Sequence, residues 1–269
     1  MADESESLIY LYGLTAGDAA DPPSELTGVE DAPVEVVRVG SLGAIVSRVP
    51  ADAYSDDALN ARLDDLAWVG ARGVSHERVL DWFAEHGPVI PLSLFSLHGD
   101  LVRLERRIGS EQEAFGRSLE RLRGRKEWGI KLWRHEADAG EGIDRLSPSL
   151  QEIGRQIDEA PAGKRFLLEK KRQAMRLEEL RLVSNRIAHE LFADLRGVSD
   201  GATSVPIPGV APAAERVLLL HAAYLVADDG FEEFQRAVTE QAGRLAGSGF
   251  EIEFTGPWPA YNFASTDDE

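Results

Sequence analysis

Gly197-Val198-Ser199-Asp200-Gly201 fits the G-x-S-x-G pattern that lifts a nucleophilic serine onto a sharp turn. That chemistry needs a strand entering the turn and a helix leaving it. Here a helical pattern enters and a strand-like Ala202-Thr203-Ser204-Val205 leaves, so Ser199 has no strained elbow. His76-Glu77 opens the zinc pattern H-E-x-x-H, but Leu80 stands where the second histidine is required. His76, His86 and His98 have Glu77, Asp81 and Glu85 among them, yet no two histidines share the i, i+4 spacing of a helical metal site. Gly163-Lys164-Arg165 follows no strand and makes no phosphate loop. Cysteine is absent, which removes thiolate nucleophiles, disulfides and Cys-ligated zinc. No catalytic residue, metal-ligand set or cofactor is therefore expected, and the chain does not read as an enzyme. His76, His189 and His221 read as hydrogen-bonded structural residues.

Charge narrows the partners. Asp and Glu number 47 against 29 Lys and Arg, a formal charge of −18. Such a chain is repelled by phosphate backbones and anionic lipid, which argues against nucleic acid as its main partner. Met1-Ala2-Asp3-Glu4-Ser5-Glu6-Ser7 is acidic where a secretory signal is basic and then apolar. No apolar run approaches the ~20 residues that span a bilayer. A cytoplasmic protein without membrane insertion is expected.

The elements that would carry any site fall into two groups. Leu8–Tyr12 is β-branched and aromatic and reads as a strand. Residues 15–33 read as a loop. Val34–Val39 and Leu42–Ser47 flank Gly40-Ser41, a hairpin signal. Apolar residues at helical spacing run from Asp56 to Ala84, with Gly70 and Gly73 as the expected break into two helices. Gly87-Pro88 starts a strand over Val89–Phe95, and one helix is expected from Leu101 to about Leu122. This is an N-terminal α+β domain over residues 1–124.

A second domain is expected over 125–264. Trp128, Ile130 and Leu132 alternate on one face of a strand. A helix near Pro148–Glu159 ends at Pro161. From Lys164 to Arg196 there is neither Gly nor Pro, which predicts a helix of roughly 50 Å. Ala202–Ile207 reads as an edge strand, Arg216–Val226 as a central one, Phe231–Leu245 as a helix begun by Asp229 and Glu232, and Phe250–Phe254 as the last strand. The order β-α-β-β-α-β is the ferredoxin-like plan with a helical hairpin drawn out into an arm. Thr266-Asp267-Asp268-Glu269 ends an acidic tail, 265–269, read as disordered.

Two stretches are candidate interaction surfaces. The first half of the long helix carries Lys170, Lys171, Arg172 and Arg176 with few apolar neighbours. Pairs at helical spacing, Arg165 with Glu169 and Arg176 with Glu179, would support it in solvent by a few tenths of a kcal/mol each. It reads either as a solvated charged face or as a docking arm. The second stretch is Gly256-Pro257-Trp258-Pro259-Ala260-Tyr261-Asn262-Phe263. Its prolines exclude helix and central strand, and its three rings suggest a strap held by apolar burial. The alternative is an exposed aromatic patch for a partner, centred on Trp258, Pro259, Tyr261, Asn262 and Phe263.

A last strand running into Gly-Pro-Trp-Pro-Ala-Tyr-Asn-Phe resembles the ending of gas vesicle proteins of the GvpF/GvpL family. Tyr10-Leu11-Tyr12-Gly13-Leu14, Ala67-Trp68, His76-Glu77-Arg78-Val79-Leu80, Val89-Ile90-Pro91-Leu92 and Glu127-Trp128-Gly129-Ile130-Lys131 follow that family's order along nearly the whole chain. After Pro91, Leu92-Ser93-Leu94-Phe95-Ser96 replaces the family's usual Leu-Arg-Phe-Gly. The resemblance implies an accessory or minor structural role in building the gas-filled shell. It also implies contact with the hydrophobic shell subunit GvpA and other accessory proteins, and a place at the gas vesicle. The competing reading is a ferredoxin-like small-molecule sensor or enzyme, for which the chain offers no convergent polar constellation.

Overall fold

Hydrophobic runs in the two halves of the chain build two separate sheets in the computed structural model, which describes residues 7–207 and 215–264. The chain divides into a first unit, Met1–Glu127 with Trp258–Glu269, and a second, Trp128–Pro257. Residues 258–264 were expected with the second domain and group instead with the first. The acidic tail 265–269 lies outside the described residues.

In the first unit β1 (Ser7–Ala16) is flanked by β3 (Leu42–Pro50) and β4 (Val89–Pro91), and β2 (Glu35–Val39) pairs β3, giving the order β2-β3-β1-β4. A two-residue strand, β5 (Leu97–His98), also pairs β1. The β2–β3 hairpin closes with Val39 opposite Leu42, and Gly40 supplies the positive φ of 59° that its turn needs. Residues 15–33 are tied down by tyrosine chemistry. Tyr12 donates its hydroxyl to Ser47 Oγ at 3.1 Å and accepts the Val29 N–H at 2.8 Å, while Ser47 donates to the Pro33 carbonyl at 2.8 Å.

Helices cover this sheet. After the short α1 (Ala51–Tyr54) and α2 (Asp56–Asn60) comes α3 (Leu66–His86), a single helix running through Gly70 and Gly73. The break falls earlier, at 61–65, where Asp65 caps α3 by accepting from the Ala67 and Trp68 N–H groups. Each glycine costs the helix ~1 kcal/mol, but Val79, Leu80 and Phe83 are fully buried and each contributes ~1.5–3 kcal/mol. The expected strand Val89–Phe95 stops at Pro91, and Phe95 takes a positive φ of 64°. The helix expected over 101–122 is two, α4 (Leu101–Ser110) and α5 (Gln112–Leu122), because Glu111 leaves helical geometry.

The second unit holds β6 (Arg125–His135), β7 (Gly201–Ser204), β8 (Arg216–Ala227) and β9 (Phe250–Trp258) in the order β7-β8-β6-β9. The long central strand stands where the sequence put it, while the edge strand expected over 202–207 runs from Gly201 to Ser204 and ends before Pro206. Ile130 and Leu132 are fully buried, and Trp128 packs against the same core. A helix absent from the sequence reading, α6 (Glu136–Leu146), follows β6 directly. Gly140 and Gly142 hid its apolar positions, Ala139 and Ile143. Gly249, at φ 82°, lets the backbone of the last turn press against Ala139 with no side chain between.

Next come α7 (Pro148–Glu159), capped by Ser147, and α8 (Ala162–Arg196), 35 residues and about 52 Å long. Leu180, Val183, Ile187, Leu191 and Leu195 on α8 are all buried, as their spacing predicts. The helix α9 (Phe231–Leu245) begins at Gly230 with no side-chain cap, so Asp229 does not form the expected capping box with Glu232.

Candidate functional site

The segment Trp258–Ala264 is held in the first unit by polar bonds rather than by its rings. Trp258 is 48% exposed and Tyr261 37%, while the small residues Ala260 and Ala264 are buried. Asn262 donates its backbone N–H to Glu127 Oε2 at 2.9 Å and its side-chain amide to Oε1 at 2.6 Å. Glu127 is buried, and burial pushes its carboxyl above the ordinary range while the two bonds from Asn262 hold it back. Arg121 donates to the Phe263 carbonyl at 2.6 Å, and Tyr261 donates its hydroxyl to Glu77 at 2.7 Å. The strap expected from ring burial is thus held largely by hydrogen bonds, with the Trp258 and Tyr261 rings exposed and Phe263 half-buried. Glu127 was missed as its anchor because its partner lies 135 residues away and nothing local marks it.

On the same unit α3 presents a groove of about 660 Å³. Leu66, Gly70, Gly73, Val74, Glu77 and Asp81 recur at a spacing that keeps one helix face. Leu66 and Val74 are 83% and 70% exposed, and nothing lies within 4 Å of where a Cβ on Gly70 or Gly73 would stand. Toward its carboxyl end the groove is acidic. Burial raises the carboxyl groups of Glu77 and Asp81, and Glu85 raises Asp81 further.

Below this face His76 closes a chain of hydrogen bonds. The Phe95 N–H donates to Tyr10 Oη at 3.1 Å, and the Tyr10 hydroxyl lies 2.9 Å from His76 Nδ1. His76 Nε2 lies 3.0 Å from the Leu92 carbonyl, which can only accept, so Nε2 carries the proton and Nδ1 accepts from Tyr10. Trp68 stacks on Phe95 at 5.4 Å, with the Arg72 guanidinium 4.4 Å from the indole centroid. The departure at Leu92–Ser96 keeps its backbone contacts to β1: Leu92 N–H donates to Tyr12 O, and Leu11 N–H to Ser96 O.

The arm is only partly as expected. Arg172 and Arg176 both reach Asp144 on α6, at 2.9 and 2.5 Å, and Arg176 also donates to the Gly140 carbonyl. Glu179 accepts from Ser147 rather than pairing with Arg176, and no Arg165–Glu169 pair forms among the described residues. Lys170 and Lys171 remain exposed, Lys170 above the Phe166 ring at 5.0 Å. Phe166, Leu167 and Leu177 are 57%, 65% and 80% exposed.

Ser199 sits between α8 and β7, half-buried, its hydroxyl donating to Arg196 O. Among the described residues no group of three or more His, Asp or Glu is placed to hold a metal ion. No helix among them is long and apolar enough to cross a membrane.

A profile of the gas vesicle synthesis protein GvpL/GvpF family matches residues 8–265. The chain belongs to that family. It is 27% identical to gas vesicle protein L of Streptomyces sp. (strain CB03234) over 267 residues, covering 98% of this chain and 96% of that one. It is also 27% identical to gas vesicle protein L1 of Halobacterium salinarum, covering 95% and 89%. The crystal structure of GvpF from Anabaena sp. PCC7120 superposes with a TM-score of 0.66 at 18% identity, covering 96% of this chain and 98% of that one. GvpF from Microcystis aeruginosa gives 0.61, again at 18% identity, covering 96% and 99%. The mixed α and β architecture with two sheets is therefore that of GvpF. Within this family member, His76 is buried in the first unit, Trp68 is half-buried against Phe95, and Asn262 reaches in from the surface to Glu127.

Proposed function

We propose that this chain is an accessory or minor structural component required for gas vesicle assembly, and that it binds the hydrophobic shell subunit GvpA and other accessory proteins. Membership of the GvpL/GvpF family over nearly its whole length is the observation that carries this reading. The physical support is a surface suited to holding an apolar subunit. Trp258 and Tyr261 are exposed on a hydrogen-bonded frame, and β9, which runs into them, is an edge strand of its sheet. A subunit rich in apolar surface stays dispersed when its exposed faces meet such a partner, and a charge of −18 keeps the pair from precipitating. The chain works through its exterior, without turnover, in the cytoplasm at the growing vesicle.

The strand order β7-β8-β6-β9, with helices between β6 and β7 and between β8 and β9, supports reading the second unit as a ferredoxin-like domain with an extended helical hairpin. The test of function is co-expression with GvpA. We expect the chain to raise the share of GvpA in the soluble fraction and to retain it in a pull-down. Deletion of the gene from a gas-forming host should abolish vesicles under the microscope. Vesicles of normal number and shape in the deletion strain would reject the assembly role.

A further inference from the structure

Two of the helix faces described above complement each other, although Glu77 on the first already accepts from Tyr261. On α3 the groove is apolar and small first, Gly70, Gly73 and Val74, then mainly acidic, Glu77, Asp81 and Glu85 with Arg78 beside them, and Leu66 continues the apolar end along the same face. On the first half of α8 the corresponding face carries Phe166, Lys170, Gln173, Ala174 and Leu177. Lys164 precedes it and Lys171 flanks it. Among the described residues none of these three lysines has a carboxylate within 4.0 Å, and Lys170, Lys171, Asp81 and Glu85 are all exposed.

We infer that the amino-terminal half of α8 in one copy of this chain lies antiparallel in the α3 groove of a second copy. Direction follows from the residue order. Run antiparallel, Leu177 and Ala174 meet Gly70, Gly73 and Val74, where the missing side chains leave room for them. Lys170 then stands over Asp81, beside the Glu77 carboxylate that Tyr261 already meets, Phe166 meets Trp82, and Lys164 faces Glu85. Run parallel, Leu177 would fall on the carboxylates and Lys170 on the apolar half. The amino-terminal end of α8 also brings the positive pole of its dipole to the acidic end of the groove. The lengths suit one another: Leu66–Glu85 spans about 29 Å and Lys164–Leu177 about 20 Å. Because one patch meets a different patch, the contact is heterologous. It builds rings or open chains of copies rather than a two-fold dimer. It needs no shell subunit, so it stands apart from the reading of function.

Sedimentation velocity on the purified full-length chain tests this. The wild type should form species larger than a dimer as concentration rises, and these should weaken from ~50 mM to ~500 mM salt. K170E/K171E and D81K/E85K should each lower the association constant at least about tenfold. Mixing the two variants should restore association, since the acidic arm then meets the basic groove and the basic arm the acidic groove. A wild type that stays monomeric would overturn the inference, as would variants that assemble like the wild type or a mixture that stays monomeric.

Discussion

Asn262 satisfies both carboxylate oxygens of Glu127, one with its backbone N–H at 2.9 Å and one with its side-chain amide at 2.6 Å. Glu127 is buried, so an oxygen left bare there costs ~1–3 kcal/mol. Asn262→Ala removes one donor, and Glu127→Gln turns an amide NH2 toward a donor. Either substitution should speed amide exchange in 259–264 by at least about tenfold, read by hydrogen–deuterium exchange. Unchanged protection there would mean that the segment is held by something other than this carboxylate.

Acid should loosen the first unit through His76. Burial pushes its pKa down to about 4 from an ordinary 6.5, with the Leu92 carbonyl opposing the shift. Between these values the unfolded chain binds a proton that the folded chain refuses. Stability is therefore full above pH ~6.5 and drains as pH falls toward 4, by up to ~3 kcal/mol. Thermal unfolding at steps from pH 7 to pH 4 measures the slope. Replacing His76 with Gln should lower stability at pH 7 and flatten the slope, and an equal slope in both proteins would remove His76 as its source.

Asp144 is the one acid that Arg172 and Arg176 share among the described residues. All three side chains are roughly a quarter to a third exposed, so the pairs are screened and together contribute ~1 kcal/mol. Asp144→Asn should increase exchange along 162–176 and leave 180–195, anchored by its buried leucines, protected. Equal protection across both stretches in the variant would show that packing alone carries the first half of α8.

What the chain disclosed in advance was whatever depends on local periodicity. The α8 stripe from Leu180 to Leu195, the Gly40-Ser41 hairpin and the alternation around Ile130 all repeat within a few residues, so each could be read without a partner. Breaks were harder to place. Gly70 and Gly73 looked like helix ends but lie on an exposed face where a missing side chain disturbs no packing. Glu111 looked like ordinary helix and interrupts one. The contacts that brace the site, Glu127 with Asn262 and Asp144 with Arg176, join residues 135 and 32 positions apart. No local pattern encodes such pairs. The three C-terminal rings drew attention for the area they might bury, while the segment's hydrogen bonds come from Asn262, from the Tyr261 hydroxyl and from Arg121.

Residues 258–264 belong to a unit whose other described members all lie within 7–127. During synthesis the ribosome releases those residues long before Asn262 exists, so Glu127 waits in the nascent polypeptide with both oxygens wet. The whole second unit is translated in the interval and can fold as it emerges. The first unit is therefore completed after the second, and a message truncated just short of codon 262 would keep the whole second unit yet leave the first unlatched.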